Sequence, residues 1–294
     1  MDTRTRTGPL VVIVGETASG KSAAGMELAK RFNGEIVCAD SRTVYRGMDI
    51  GTAKPTPEEQ AQVRHHLLDV VDPDQAFTVS DFKQLAEEAL DDIASRGKLP
   101  IVVGGTGLYV DALLYDFQFR SPASPALRQE LSALSVDELQ ERIRADGLEL
   151  PENARNPRHL VRVLESGGEL GTKKPIRKNT LVLGLGFDRE ALRQRITARV
   201  GDMVTAGFVE ELRGLVSKYG RDVSALQGPG YRALRGYVEG TSNLEEAKAL
   251  FVQNDMQLAK KQRTWFRRNN SIHWVENRED IVDIATTFLN KKPN

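Results

Sequence analysis

The chain has 294 residues, with 41 Lys and Arg against 41 Asp and Glu, so its formal net charge is zero. A chain of this length can bury a large core, either as one domain or as a core with an insert. The zero net charge excludes a global field that attracts nucleic acid and leaves only local basic patches. A single cysteine, Cys38, excludes an intrachain disulfide, and no apolar run is long enough to span a membrane. Because the N-terminus also lacks signal-peptide character, we expect a cytoplasmic protein.

The first motif is a phosphate loop at residues 15–22 (GETASGKS), which matches the pattern G-x-x-x-x-G-K-[ST]. An apolar run at 10–14 before it predicts a buried strand, and residues 23–32 after it are rich in helix formers. A loop in this setting turns backbone N–H groups and a helix N-terminus toward an anion. Lys21 can then neutralise phosphate oxygens, and the Ser22 hydroxyl can ligate Mg²⁺. The motif predicts a bound phosphate but names no reaction.

Further along the chain, apolar runs at 36–39 and 99–103 predict two more strands, and residues 82–95 have helical spacing. Strands that are apolar throughout are typical of a parallel sheet covered on both faces, hence of an α/β fold. Residues 121–125 (SPASP) resemble a linker, and helical spacing then continues to about residue 168, with interruptions at Gly147 and 153–157. We therefore predict an all-helical insert.

The last third of the chain returns to the sheet. A run at 181–187 predicts a strand, and Asp188 suits the N-cap of a helix over 189–205 that ends near Gly207. More helix follows to about residue 268, then a strand at 272–275 and a helix at 281–289. The predicted organisation is a core of 1–117 and 179–294 with C-terminal helices, and a helical insert at 118–178.

Two predicted strands end in polar residues that should lie beside the phosphate loop, because ligands bind at the carboxyl ends of strands in open α/β sheets. The second strand leads to Asp40 and Ser41, and the third to Gly104, Gly105 and Thr106. Asp40 can act as a general base or as a water-mediated Mg²⁺ ligand, and capping a turn is an equally weighted alternative. The glycines let the backbone approach a ligand closely, and Thr106 offers a hydroxyl in the same crevice.

Two short segments are strongly basic, although each by itself is as consistent with a solvated face as with a polyanion site. One lies near the C-terminus and the other before the run at 181–187. Their members are Lys260, Lys261, Arg263, Arg267 and Arg268, and Lys173, Lys174, Arg177 and Lys178.

Taken together, several blocks resemble the tRNA dimethylallyltransferase family of bacterial type. They are residues 40–55 (DSRTVYRGMDIGTAKP), 65–69 (HHLLD), 104–109 (GGTGLY), 156–158 (NPR) with 162–165 (RVLE), and 259–267 (AKKQRTWFR). The blocks follow in family order from about residue 10 to residue 274. The resemblance implies a P-loop NTPase-like parallel sheet flanked by helices, with the insert contacting tRNA.

The resemblance also implies the reaction, which is transfer of a dimethylallyl (isopentenyl) group from dimethylallyl diphosphate with the aid of Mg²⁺. The acceptor is the exocyclic amine of the adenine 3′-adjacent to the anticodon, in tRNAs that read codons beginning with U. Diphosphate is the leaving group, so the phosphate loop holds a diphosphate where kinases hold a triphosphate. The implied catalytic residues are Asp40, which accepts the proton of the amine, with Lys21 and Thr106.

Site residues carried over by the resemblance fall into two groups. The implied diphosphate contacts are Gly15, Thr17, Ala18, Ser19, Gly20, Lys21, Ser22 and Arg199. The implied contacts to the anticodon stem-loop are Asp40, Ser41, Arg42, Thr43, Thr106, Arg128, Arg158, His159, Arg162, Gln227, Tyr231, Arg232, Lys260, Lys261, Gln262, Arg263, Trp265 and Arg267. Two of these have open alternatives: Arg199 can instead form a surface salt bridge, and Trp265 is expected in the buried core more than stacked on RNA.

The chain departs from the family pattern at four places. Glu16 replaces a usual proline, and an acid there weakens phosphate binding unless it points to solvent. Thr43 replaces a glutamine that holds the target base, with Arg42 as a compensating donor. His159 replaces an arginine, and residues 228–230 (GPG) replace a more apolar pair.

Three other functions stay open. One is an adenylate isopentenyltransferase that acts on a free nucleotide, although a mononucleotide needs neither the insert nor the basic C-terminal block. Another is a small-molecule kinase, although nothing resembles a nucleotide-kinase lid. The third is a catalytically weak or silent tRNA-binding homologue. We expect a monomer.

Overall fold

A computed structural model describes residues 8–118, 124–168, 174–275 and 280–291. The chain divides into two compact units, Met1–Leu114 with Arg177–Asn294, called here the sheet unit, and Tyr115–Ile176, called the helical unit. Most of the expected linker at 121–125 lies outside the described residues.

The sheet unit contains six parallel strands in the order β3-β2-β4-β1-β5-β6. Their bounds are β1 Leu10–Gly15, β2 Gly34–Cys38, β3 His65–His66, β4 Leu99–Gly104, β5 Thr180–Leu185 and β6 Ile272–Val275. All residues of β1, β2 and β4 are buried, as the unbroken apolar runs predicted. The predicted parallel α/β fold is therefore confirmed. The short strand β3 was not predicted, because two residues carry no periodicity.

Register brings the ends of three strands to one edge. In the middle of the sheet Val12 on β1 pairs with Val102 on β4 and with Val182 on β5. Strand β2 lies on the other side of β4, with Cys38 opposite Val103. Since all strands are parallel, the residues that follow β1, β2 and β4 emerge side by side, and these are the phosphate loop, Asp40 and Gly105.

Helices pack against the sheet and form a second layer of the sheet unit. They are α1 Lys21–Arg31, α2 Pro57–Gln62, α3 Val79–Ser95, α4 Gly107–Leu114, α8 Arg189–Thr205, α9 Phe208–Tyr219, α10 Pro229–Val238, α11 Leu244–Phe266 and α12 Asp280–Asn290. Asp188 caps α8 as predicted, accepting hydrogen bonds from the N–H groups of Glu190 and Ala191. Gly207, at φ 102°, serves as the N-cap of α9, so the predicted helix end there is also the next helix start.

The helical unit is built from α5 Pro125–Ser132, α6 Val136–Ala145 and α7 Pro157–Ser166. Its own core includes Leu131, Leu139, Ile143 and Leu160, each at most 1% exposed. Gly147 and residues 153–156 lie in the break between α6 and α7, as predicted, and Pro157 begins α7, whereas the break between α5 and α6 was not predicted. None of the helices in the described parts of the chain combines the length and the apolar character needed to cross a membrane.

Candidate active site

The phosphate loop bends back on itself between β1 and α1. The N–H group of Ser19 donates to the carbonyl of Glu16 at 3.1 Å, and Nζ of Lys21 donates to the same carbonyl at 3.2 Å. Gly20 has φ 81°, a left-handed conformation that other residues adopt only with strain. Gly15 leaves no space for a side chain, since a Cβ there would lie 2.6 Å from the carbonyl oxygen of Leu185. These constraints explain why the loop needs glycine at both positions.

Lys21 lies among charged groups of both signs. Burial lowers its pKa to about 8, an effect opposed by the carboxylate of Asp40 and reinforced by the guanidinium of Arg199. Lys21 is therefore a cation whose charge is sensitive to a small change in surroundings. A bound anion would favour the charged form.

Arg199 reaches the loop from α8. Its Nη2 donates to Thr17 Oγ1 at 2.7 Å and to Oδ2 of Asp255, which lies on α11 and is 3% exposed. Burial raises the pKa of Asp255, and the pairing with Arg199 opposes that rise. Arg199 therefore forms an ion pair, but this pair is not a surface salt bridge, because it lies at the phosphate loop and its acid, Asp255, is buried.

Two buried donors of this region have no hydrogen-bond partner within the described part of the chain, namely the hydroxyl of Ser19 and Nε of Arg199. A buried donor without an acceptor costs free energy, so Nε of Arg199, which lines the cavity beside the loop, suits an oxygen of a bound anion. Together with Lys21, this donor fits a diphosphate.

Asp40 follows β2, and Thr106 follows β4. Each side chain accepts a hydrogen bond from a backbone N–H group of the two residues after Asp40. Thr106 Oγ1 accepts from the Ser41 N–H at 3.0 Å, and Asp40 Oδ1 accepts from the N–H of Arg42 at 2.8 Å. The turn-capping role weighed for Asp40 is therefore present, but it occupies one carboxylate oxygen. The close approaches that Gly104 and Gly105 permit are to Ala39 and Gln262 of the chain itself.

A cavity of about 150 Å³ opens between these groups. Thr17, Lys21, Ser22 and Arg199 line it, and so do Asp40, Arg42 and Thr43. Thr43 is 6% exposed, and its hydroxyl lacks a partner in the described residues. The cavity thus brings together four of the predicted diphosphate contacts and several of the predicted tRNA contacts, whereas Thr106 is not among the residues that line it.

Among the residues of this cavity that sequence reasoning missed is an acid, Asp255. It interrupts the buried face of α11, where Phe251, Asp255 and Ala259 follow each other at intervals of four residues. An acid in such an apolar series was the signal that could have revealed it, because a buried carboxylate needs a cationic partner.

Helix α11 holds the phosphate loop through two consecutive residues. Gln262 accepts the N–H of Thr17 with Oε1 at 2.8 Å and donates from Nε2 to the carbonyl of Gly105 at 3.0 Å. Arg263 pairs with the carboxylate of Glu16 through Nε and Nη2. Glu16 is 2% exposed, so it does not face solvent, and its charge is met by Arg263.

The remaining predicted residues of α11 are exposed. Lys260, Lys261 and Arg267 lie on its surface. The expectation that Trp265 belongs to the buried core is wrong, since the residue is 37% exposed and its Nε1 donates to Asp111 Oδ2 at 2.9 Å. Its ring fits only because position 107 is glycine, where a Cβ would lie 2.3 Å from Trp265 Cδ1.

Four predicted residues lie near the start of α10 and the loop after β2. Gln227 and Arg232 are exposed, whereas Tyr231 is 1% exposed and donates from its hydroxyl to Glu211 Oε1 at 2.7 Å. Arg42 donates from Nη1 to the carbonyls of Ser224 and Ala225. Its compensating role toward a base would therefore need the other nitrogens of the guanidinium.

In the helical unit, the predicted residues surround a groove on α5 and α7. Arg158 and His159 are exposed, while Arg128 forms a two-pronged pair with Glu165 at 2.5 and 2.8 Å, and Arg162 approaches the same acid at 3.8 Å. The groove therefore presents more positive than negative charge. Of the second basic segment, Lys174 pairs with Asp116 at 2.6 Å, and Lys173 lies outside the described residues.

Comparisons with known proteins show the family to which the chain belongs. A family model described as IPP transferase matches residues 43–269. A tRNA dimethylallyltransferase from Exiguobacterium sp. (strain ATCC BAA-1283 / AT1b) is 46% identical over 280 residues, covering 91% of this chain and 90% of that protein. One from Streptococcus thermophilus (strain CNRZ 1066) is 41% identical over 298 residues, covering 96% and 97%.

Solved structures give the same result. The full-length tRNA isopentenylpyrophosphate transferase of Bacillus halodurans superposes with a TM-score of 0.74 at 37% identity, covering 96% of each chain. A eukaryotic dimethylallyltransferase acting on tRNA gives a TM-score of 0.75 at 24% identity, covering 95% of this chain and 75% of that one, and supports the fold alone. The family model covers well over half of the chain and the relatives cover nearly all of it, so this chain belongs to the IPP transferase family, whose members are prenyl-transferring enzymes.

Proposed function

We propose that this protein transfers a dimethylallyl group from dimethylallyl diphosphate to the exocyclic amine of the adenine 3′-adjacent to the anticodon in tRNAs reading codons that begin with U. The observation that carries the proposal is the shared cavity, which Lys21, Arg199 and Asp40 all line. Such a cavity can hold the two reacting groups side by side. The relatives named tRNA dimethylallyltransferase support the substrate class.

In the reaction, the adenine N6 attacks the allylic C1 of the donor while the C1–O bond breaks, and its electron pair leaves with the diphosphate. Lys21, Arg199 and the N–H groups of the phosphate loop bind the charge that develops on the leaving oxygens. Asp40 accepts the proton that the amine loses. Because Oδ1 of Asp40 already accepts from Arg42, we assign the proton to its Oδ2.

The residues present fit Mg²⁺ as the cofactor. The described residues contain no group of three or more His, Cys, Asp or Glu that could hold a metal by themselves. Mg²⁺ typically uses one or two protein oxygens together with substrate phosphates and water. Ser22 supplies such an oxygen in the cavity. Bound there, the ion would neutralise charge on the leaving diphosphate.

For the acceptor, the base must leave its stack to enter the cavity, as in other enzymes that modify bases. The exposed cations Lys260, Lys261 and Arg267 suit the phosphates of an anticodon stem-loop, and Arg158 and His159 of the helical unit suit further contacts. The unpartnered hydroxyl of Thr43 suits a contact to the base. We propose that the protein works as a cytoplasmic monomer on tRNA.

The test uses purified protein, Mg²⁺, labelled dimethylallyl diphosphate, and either tRNA or AMP. We expect label in tRNA, and we expect Asp40→Asn to lower kcat by about 100-fold, the effect typical of a lost general base. Asp74→Asn, a change at an exposed acid outside the cavity, should transfer label at the normal rate. Label in AMP instead of tRNA would favour the adenylate isopentenyltransferase alternative, and tRNA binding without transfer would favour a silent homologue.

A further inference from the structure

We propose that Glu16 is a positioning residue, which holds the phosphate loop in its diphosphate-binding shape through an ion pair with Arg263. The inference deepens the proposed function and rests on it. Glu16 lies inside the phosphate loop, where a free carboxylate would repel the anion that the loop binds. The structure shows instead that the carboxylate is buried at 2% exposure and directed to α11.

The pair has the geometry of a fixed contact. Arg263 donates from Nε to Oε1 of Glu16 and from Nη2 to Oε2 at 3.0 Å, which is the planar two-bond arrangement between a guanidinium and a carboxylate. The same Nη2 donates to the carbonyl of Phe187 at 2.8 Å. Arg263 therefore joins the phosphate loop to the segment that follows β5. The hydrogen bond to Glu16 also raises the pKa of the Arg263 guanidinium.

The main chain of Glu16 transmits this contact to the phosphate site. Its carbonyl accepts from the Ser19 N–H at 3.1 Å and from Nζ of Lys21 at 3.2 Å. The next N–H, that of Thr17, is held by Gln262 at 2.8 Å. Gln262 thus holds the peptide between Glu16 and Thr17 directly, and Arg263 holds it through the side chain of Glu16. The carbonyl of that peptide in turn orients the ammonium group of Lys21.

Loss of Arg263 should disturb the site for a second reason. A buried charge without its partner is costly, so a Glu16 carboxylate that loses Arg263 must rearrange. Lys21 is another cation on which this carboxylate acts, since Glu16 raises its pKa. A carboxylate that turns toward Lys21 would compete with the phosphate oxygens for the same ammonium group. The expected consequence is weaker diphosphate binding with little change in RNA affinity.

The test measures binding of inorganic diphosphate and of dimethylallyl diphosphate, with Mg²⁺, by calorimetry, and KM for tRNA in the transfer assay. Glu16→Gln and Arg263→Gln should each raise the Kd of both diphosphates about tenfold, while KM for tRNA stays within about twofold. In the double variant the two amides can hydrogen-bond to each other. Its Kd for each diphosphate should therefore be no higher than the higher of the two single-variant Kd values. Glu190→Gln, at an exposed acid of α8, is the matched control and should leave both quantities unchanged.

Three results would overturn the proposal: singly substituted, folded proteins with the normal diphosphate Kd, effects that add in the double variant, or an Arg263→Gln effect confined to KM for tRNA. Thermal unfolding checks folding, and Arg263→Lys, which keeps the charge but not the paired bonds, should show an intermediate Kd if Arg263→Gln does not fold. A wild-type protein that binds diphosphate but transfers nothing to tRNA would refute the proposed function and leave this pair to be judged from the Kd values.

Discussion

At the scale of single residues, the charge of Lys21 decides how well the phosphate loop can hold an anion. Burial lowers its pKa to about 8, so the ammonium is present below that pH and is lost as the pH rises through it. The groups that face it are Asp40, Asp255 and Glu16, which favour the cation, and Arg199, which opposes it.

We therefore expect kcat/KM for dimethylallyl diphosphate to fall above about pH 8, since this ratio reports the ionisation of the free enzyme. Lys21→Arg keeps its charge at every accessible pH, so its profile should be flat from pH 7 to about 10, although its absolute value is lower. The measurement is the pH profile of initial rates at low donor concentration. A wild-type profile that is level through pH 9 would show that Lys21 keeps its proton there.

The sequence revealed Lys21, Ser22 and Asp40 because each follows a predicted strand in a motif whose chemistry is known. It could not reveal their partners. Glu16 and Arg263 are 247 residues apart, and Arg199 and Asp255 are 56 apart. Pairs of this kind form only when the helices of the second layer are placed on the sheet edge, which no local pattern encodes. Trp265 was misplaced for the same reason, since apolarity predicted burial and a neighbouring glycine and acid hold it at the surface.

At the scale of elements, Glu35 joins four segments near the start of β2. It accepts from Arg96 at 2.5 and 2.7 Å, from Lys98 at 2.8 Å, and interacts with His66 Nε2 at 2.8 Å. The side chain is 2% exposed, and the hydrogen bonds from Arg96 hold its pKa far below the usual range against the effect of burial. Glu35 therefore links β2 with β3, the end of α3 and the start of β4.

We expect Glu35→Gln to lower the free energy of unfolding by about 3 kcal/mol at pH 7, because it leaves three basic groups around a neutral amide. The contribution of a carboxylate with a lowered pKa is complete above its unfolded value of about 4.5 and declines as the pH falls below it. Urea unfolding at pH 7 and at pH 3 should therefore show a smaller difference between the two proteins at pH 3. Equal stability at pH 7, with Glu190→Gln as the control, would refute this role.

The basic patch predicted near the C-terminus contains two kinds of residue. Arg263, like its neighbour Gln262, faces the phosphate loop, whereas Lys260, Lys261 and Arg267 are exposed. Composition located the patch, but the direction of each side chain depends on how α11 lies against the loop. We therefore propose RNA contact for the exposed residues of the patch.

We expect Lys261→Ala to weaken tRNA binding at low salt and to reduce the slope of log K against log salt by about one, because one phosphate contact releases about one counterion. Lys291→Ala, at an exposed lysine of the same unit outside the patch, is the matched control. The measurement is tRNA affinity at four or more salt concentrations. An unaltered slope would assign Lys261 to a solvated face.

At the scale of the whole molecule, both units carry residues that we propose for tRNA, but only the sheet unit carries residues that we propose for the diphosphate. Every residue assigned to the diphosphate lies in the sheet unit, whereas Arg158, His159, Arg162 and Arg128 lie in the helical unit. Strand and helix periodicity predicted both units, because each has its own apolar pattern and its own core. Periodicity carries no information on the charge pairs inside the helical unit, such as that of Arg128 with Glu165.

This division makes Arg158 a test of the helical unit. Arg158→Ala removes an exposed cation, so it should raise KM for tRNA severalfold and lower the salt slope by about one, while the Kd of dimethylallyl diphosphate stays unchanged. Arg144→Ala, at an exposed arginine of α6, is the control within the same unit. If Arg158 and Lys261 contact different phosphates of one tRNA, their losses in log affinity should add, since sites without shared partners behave independently. A double variant no weaker than the Lys261→Ala protein would mean that the helical unit adds no phosphate contact at Arg158.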